Sequence, residues 1–394
     1  MSVSTLSQRA SLVQPSATMA ISTRAGAMRR SGIDVISLAA GEPDFDTPKH
    51  IQEAGIEALR KGRTRYTPAA GTPELRAAAA KYISKHSSQD FLPSEIVITC
   101  GAKQAIFNTL RLILDPGDSV LIPAPCWVTY PAQAILCDGV PLIAPPKTDG
   151  SIDIEALAKQ IPDARALVLC NPSNPSGQVL SRAELRRLGD LALEHGTLII
   201  ADEIYSELVY ESRTFDSFLQ ACPDLRGQTI VIHGVSKTYS MTGLRIGFCA
   251  APEALAKTMS AFMSQTTSNP TSTSQWAALA ALEGDQSFIN TWKNAFEDRR
   301  NQLVAGLKGL PGINCRMPEG AFYVFPDIRE LAEKVGLAPD NDIALAERIL
   351  EEAHVAVVPG SHFHAPGHVR MSYATSLDAI HNALRRVREW IDQQ

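Results

Sequence analysis

The sequence predicts an α/β fold, with a large domain on a mostly parallel, seven-stranded sheet flanked by helices and a smaller α+β domain built from the two termini. Three observations predict it. Between Glu95 and Ala251, seven short apolar runs alternate with segments of helical spacing, the rhythm of a parallel sheet with crossover helices. The runs are apolar throughout rather than at every second residue, as strands covered on both faces require. Beyond Leu310 the rhythm gives way to short strand-like stretches, INCRMPEGAFYVFPD, VAVVPG and HVRMSYA, set among separate helices.

Taken in order, residues 1–45 form a polar arm, a helix over 18–30 and a short strand over 34–39. That strand runs into AAGEPDFDTP, where Gly41, Pro43 and Pro48 impose an irregular turn and the Gly41 N–H can face a ligand. A helix over 48–61 places His50, Ile51, Ala54 and Leu59 on one face, and RYTPAAGTPELR then exposes Tyr66 in a turn before a helix-forming run. Strands are expected at 95–99, 120–123, 141–144, 166–170, 198–201, 230–232 and 246–251. Helices are expected at 104–114, 129–136, 152–160, 182–195 and 253–265. A long helical stretch covers 292–310, and helices at 341–352 and 377–391 belong to the last layer. The expected division is 1–47 for the arm and part of the small domain, 48–282 for the large domain, and 283–394 for the small C-terminal domain.

A chain of 394 residues buries a substantial core, and 45% hydrophobic with 20% charged residues is the balance of a globular enzyme. A net charge of -5 with no basic tract argues against nucleic acid as the main partner. The seven cysteines are scattered and odd in number, with no C-x-x-C pair, which points to core thiols in a reducing compartment rather than to disulfides or a zinc site. No signal-peptide pattern opens the chain and no run is long enough to span a bilayer, so a cytoplasmic protein without a metal is expected.

The stretch TIVIHGVSKTYSMTGLRIGF is the chemical centre. Lys237 follows a buried strand, where lost hydration lowers its pKa and makes it an amine nucleophile toward a carbonyl. Arg245, expected inside the next buried strand, needs a fixed anion there, and a phosphate suits its planar fork. In CGAKQ, Gly101, Ala102 and Lys103 open a helix whose N–H groups make an anion site. Asn174 in NPSNPSG, Asp202 after LIIA, and Tyr205 in DEIY fall past other strand ends, where ligands of open α/β sheets bind. Singly, each has an ordinary reading: a turn-forming asparagine, a helix-capping aspartate, a solvated lysine. Together they describe one ligand. It has a phosphate (Ala102, Lys103, Ser236, Arg245), a carbonyl (Lys237), a ring nitrogen kept protonated (Asp202), a phenolate oxygen (Asn174, Tyr205) and an aromatic face covered by Trp127. Pyridoxal 5′-phosphate fits that description.

PSATMAI, AAGEPDFDTP, RYTPAAGTPELR, GAKQAIFN, LDPGD, NPSNPSG, ADEIY, SKTYSMTGLRIG, GAFY, VAVVPG and HVRMSYA follow one another nearly end to end. On these motifs the chain resembles the class I aminotransferases of fold type I, and most closely the bacterial aspartate aminotransferases of the branch that also holds prephenate aminotransferases. The resemblance implies that Lys237 holds the cofactor covalently and then moves the substrate Cα proton, while Asp202 keeps the ring an electron sink. It implies that Tyr205 and Asn174 bond the ring oxygen, Trp127 stacks on the ring, and Arg245, Gly101, Ser236 and the Ala102 and Lys103 amides hold the phosphate. Arg370 would take the substrate α-carboxylate, helped by Asn174 and the Gly41 backbone. Tyr66 would reach the phosphate of a neighbouring subunit, making the active unit a homodimer.

The chain also departs from the pattern: Cys126 stands where relatives usually carry tyrosine, Gly234 replaces a hydroxyl residue, and Gln14 stands where many relatives have lysine. The last departure weighs against prephenate and leaves Arg111 or Arg9 for the side chain of a dicarboxylate. The first expectation is ping-pong transfer from aspartate to 2-oxoglutarate. Aminotransferases of aromatic, kynurenine-like or neutral amino acids, or of prephenate, remain open beside it, as does a fold type I lyase. A cofactor-binding regulator without turnover would leave Lys237, Asp202 and Tyr205 without a reason to coexist, and no basic DNA-binding appendage accompanies them.

Overall fold

The structure is a computed structural model that describes residues 11–12, 15, 17–210 and 213–394. Its centre is a seven-stranded sheet of β2 (Ile96–Thr99), β3 (Ser119–Pro123), β4 (Val140–Ala144), β5 (Ala166–Cys170), β6 (Leu198–Asp202), β7 (Thr229–Gly234) and β8 (Gly247–Ala250). The spatial order is β2-β8-β7-β6-β5-β3-β4. β8 runs antiparallel to both β2 and β7, and the other pairings are parallel.

The all-apolar runs sit where both faces of a sheet are covered. Every residue of β2, β5 and β7 is buried, whereas the edge strand β4 exposes Val140. Successive residues feed opposite layers, as the strand period of two dictates. Val97, Ile200 and Ile232 enter one core cluster with the helix Ala102–Ile113, while Ile96, Ile98 and Val231 enter another under the helices Pro73–Ser87 and Ser272–Glu283. Local chemistry sets the helix ends. Ser181 and Glu184 close a capping box on the helix Arg182–His195, and Gly196 ends it in the left-handed conformation.

The remaining strands are short. β1 (Ile36–Ser37) pairs parallel with β10 (Val355–Ala356), and β9 (Tyr323–Val324), β11 (Val358–Pro359) and β12 (Val369–Ser372) form an antiparallel sheet in the order β11-β12-β9. The strand expected over 34–39 thus shrinks to two residues. The pair expected in INCRMPEGAFYVFPD reduces to β9 and a single bridge between Asn314 and Asp327. Pro311, Pro318 and Pro326 lack the N–H that a longer ladder would need. The helix Ala17–Arg30 and Val35 pack on Leu350, Ala356, Val358 and Phe363, so the N-terminal segment is built into the C-terminal layer. Among the described residues no helix is long and apolar enough to cross a membrane, and no cluster of potential metal ligands occurs.

Candidate active site

The carboxyl ends of β2, β3, β5, β6 and β7 and the amino end of the reversed β8 meet along one edge of the sheet. Five connections deliver their side chains there, the one between β7 and β8 serving both strands, the geometry in which open α/β sheets hold ligands.

Lys237 lies part-buried in the turn after β7, its Nζ donating to the Gly41 carbonyl at 2.6 Å. Burial, and then the nearby positive charge of Arg370, push its pKa down to about 8. Asp202 is the last residue of β6 and is 3% exposed. Burial raises its carboxyl to about 6, against the pull of the Tyr130 hydroxyl, which donates to Oδ2 at 2.7 Å, and of the Lys237 charge. Trp127 follows β3, with Tyr130 edge-on to its ring at 5.4 Å and the Lys103 ammonium 4.8 Å from its centroid.

At the end of β2, Gly101 turns the chain at φ +75° into the helix Ala102–Ile113. A Cβ on Gly247 of β8 would lie 2.2 Å from the Ala102 nitrogen, so this turn is pressed onto the neighbouring strand. The Arg245 guanidinium lies against it, since a Cβ on Gly101 would stand 2.6 Å from Nη2. Arg245 is not inside a buried strand as expected. It is exposed and left-handed at φ 56°, with Nη1 donating to Thr242 O at 2.7 Å, and β8 begins two residues later. A left-handed residue cannot continue a strand, so Arg245 closes the turn and its guanidinium comes to the strand's ligand-facing end instead. The Val235 N–H, bonded to Ile246 O at 3.3 Å, keeps the turn holding Ser236 beside it. Lys103 feels Arg245 as a like charge, which together with burial lowers its pKa. Two crowded cations, a helix N-terminus and a buried serine fit a phosphate dianion. With Lys237 and Asp202 on the same sheet edge, the residues present fit pyridoxal 5′-phosphate.

Arg370 of β12 is 1% exposed and has no carboxylate partner among the described residues. Nη1 donates to Asn174 Oδ1 at 3.0 Å and Nη2 to Ala39 O at 2.9 Å, while Nε is left unpaired. Tyr323 and Phe363 put their rings 4.5 and 5.1 Å from the guanidinium carbon. Burial lowers its pKa, and such a cation calls for an anion. Tyr205 is buried too, its hydroxyl 3.0 Å from that of Tyr323.

The structure thus gathers Gly41, Gly101, Ala102, Lys103, Trp127, Asn174, Asp202, Tyr205, Ser236, Lys237, Arg245 and Arg370 around one edge of the sheet. Arg111 is not among them. It ends the helix that Ala102 begins, about 13 Å along the axis, and its Nη1 is 2.7 Å from Asp138 Oδ2. The helix opens at the anion site, so its last turn carries Arg111 away from the ligand. Tyr66 is 90% exposed. Arg9 and Gln14 lie outside the described residues. Tyr130, Tyr323 and Phe363 escaped the sequence reading. Tyr130 is one helical turn beyond Trp127 and Tyr323 closes the GAFY motif, signals that pointed at them without saying what they touch.

The chain matches the family model for aminotransferase class I and II over residues 33–387. It is 43% identical to an aspartate aminotransferase of Geobacillus stearothermophilus over 390 residues, 98% of this chain and 99% of that one. It is 42% identical to an aspartate/prephenate aminotransferase of Nitrosomonas europaea, covering 97% of this chain and 98% of the other. Among solved structures, the aspartate aminotransferase of Rhizobium meliloti superposes with a TM-score of 0.93 at 39% identity, over 98% of each chain. That of Thermus thermophilus with maleate gives 0.91 at 40% identity, over 98% of this chain and 100% of that one. The chain therefore belongs to the class I and II aminotransferases and is a pyridoxal 5′-phosphate-dependent enzyme that exchanges amino groups between amino acids and oxo acids.

Proposed function

We propose that the protein transfers the amino group of L-aspartate to 2-oxoglutarate, both substrates using one site in turn with ping-pong kinetics. The observation that carries this reading is Arg370, a buried guanidinium that has, among the described residues, an unpaired Nε and no acidic partner, suited to a substrate α-carboxylate. A second carboxylate needs a second cation. With Arg111 paired at the far end of its helix, Lys103 over the Trp127 ring is the candidate.

The cofactor, when bound, supplies a ring that draws electrons from the substrate Cα. The chain's own residues do the rest. Lys237, with a pKa near 8, takes the proton from Cα and would deliver it to the cofactor's C4′. Asp202, braced by Tyr130, keeps a negative charge against the ring nitrogen. Asn174 gives its oxygen to Arg370 and keeps its amide N–H groups for the ring oxygen, which Tyr205 also serves. The Gly101–Ala102 turn, the Lys103 backbone amide, Ser236 and Arg245 would hold the phosphate, which leaves the Lys103 ammonium for the substrate, and Trp127 covers the ring. We propose further that two copies assemble, the exposed Tyr66 of each reaching the other's phosphate, and that the protein works in the cytoplasm, where its seven free thiols would stay reduced.

A donor panel with 2-oxoglutarate as acceptor tests the substrate assignment, each half-reaction followed by cofactor absorbance. Aspartate should exceed alanine and phenylalanine in kcat/KM by roughly a hundredfold, the worth of one charge-assisted pair. Lys103→Ala should erase most of that margin. An aromatic donor or prephenate in first place would overturn the assignment.

A further inference from the structure

Tyr323 is a buried hydroxyl with no part in the roles given so far. It belongs to β9, 118 residues along the chain from Tyr205, yet the two hydroxyls lie 3.0 Å apart with their rings edge-on at 81°. The Tyr323 ring packs on the Arg370 guanidinium at 4.5 Å, and its oxygen is 3.5 Å from where a Gly41 Cβ would be. One side chain therefore touches the carboxylate-binding arginine, the turn that faces Lys237, and the tyrosine assigned to the cofactor. The other titratable neighbours of Tyr205 are Cys170 and Arg370, both buried.

Counting hydrogens gives the consequence. Two phenol hydroxyls hold two hydrogens, and each can be donated once. If Tyr205 donates to Tyr323, it has nothing left for a ligand. If it donates to an anionic ring oxygen, its own oxygen is free to accept, and Tyr323 is the hydroxyl within reach. The chain Tyr323 O–H to Tyr205 O–H to ligand oxygen is then cooperative, each bond strengthening the next. We propose that Tyr323 is a positioning residue that aims the Tyr205 hydroxyl hydrogen at the cofactor and, through its ring, holds Arg370 ready for the substrate carboxylate. The inference rests on the reading that Tyr205 bonds the ring oxygen.

The test uses the pyridoxal phosphate-loaded enzyme and two readouts other than turnover. The first is the pH titration of cofactor absorbance, which a hydrogen bond to the ring oxygen moves. Tyr323→Phe keeps the ring and loses the donor, and should raise the midpoint by roughly half to one pH unit. Tyr205→Phe should raise it by at least as much. The second readout is the Kd of succinate, an unreactive dicarboxylate. Tyr323→Phe should leave it within about twofold, and Tyr323→Leu, which removes the ring, should weaken it by roughly threefold to thirtyfold. A midpoint that moves in Tyr205→Phe and stays put in Tyr323→Phe overturns the positioning role alone. A midpoint that moves in neither overturns the Tyr205 reading and this one with it. Unchanged succinate binding in Tyr323→Leu overturns the link to Arg370.

Discussion

A lysine that must shed a proton near neutral pH has to be kept from water and near other cations, and Lys237 meets both conditions, with burial the larger cause. That choice costs stability, and the sign can be worked out. The folded pKa, about 8, lies below the ordinary 10.5. Between those values the unfolded chain binds more protons than the folded one, so cofactor-free protein should gain stability as pH rises through that window. At full extent the gain is roughly 3 kcal/mol, and Lys237→Met should abolish it; parallel urea titrations of the two proteins from pH 7 to 10.5 check this. A wild-type profile no steeper than the variant's would show that Lys237 is not the buried cation described. For turnover, Lys237→Ala should lose roughly a thousandfold or more while still binding cofactor that borohydride no longer links to the chain. Asp202→Ala should cost more activity than Tyr205→Phe, because in the proposed roles Asp202 would face the ring charge on which the electron sink depends while Tyr205 would only tune it. The reverse order in kcat would contradict the two roles.

At the scale of elements, the phosphate cradle is a contact between backbones. Gly247 opens β8 where the Gly101 carbonyl carbon and Ala102 nitrogen come within 2.3 Å of a would-be Cβ. Gly247→Ala must therefore push the helix start off the strand, moving the N–H groups that would face the phosphate. Overpacking of this kind should weaken cofactor binding by tenfold or more, read by equilibrium titration of apoprotein with pyridoxal phosphate. Retained affinity would mean that the turn moves without loss. The same elements show how far sequence reading reached. The helices Thr129–Leu136, Arg182–His195 and Leu377–Ile391 have the ends that periodicity and capping residues indicated, because those signals lie within a few residues of the element. Arg245 was misplaced because a left-handed residue between two apolar stretches leaves no trace in an apolar count.

Over the whole molecule, residues 41–47 form a strap from the N-terminal layer across the site. The Gly41 carbonyl accepts from Lys237, Glu42 from Thr242, and Asp44 pairs with Arg299 at 2.7 Å. Phe45 stacks on Trp292 at 4.8 Å, and Thr47 donates to Ser240 O at 2.6 Å. Arg299 belongs to the helix Ser287–Lys308, 255 residues along the chain from Asp44, so two distant parts of the sequence hold the strap over the lysine. Arg299→Ala should raise KM for the amino donor severalfold and leave cofactor affinity nearly unchanged, since the strap meets the substrate side of the site. Equal losses in both would place the strap's role in the cofactor pocket.

The sequence by itself determined the βα rhythm, the all-apolar strands and the order in which Gly101, Asn174, Asp202 and Lys237 leave their strand ends, because periodicity and turn chemistry act over a few residues. Tertiary structure alone decided that the Lys103 ammonium lies over Trp127 while Arg111 pairs with Asp138, that Tyr130 braces Asp202, and that Tyr323 joins Arg370 to Tyr205. Those choices depend on contacts between elements tens to hundreds of residues apart, and only the folded sheet, with one strand reversed and the N-terminal helix packed into the C-terminal layer, brings them within a hydrogen bond's reach.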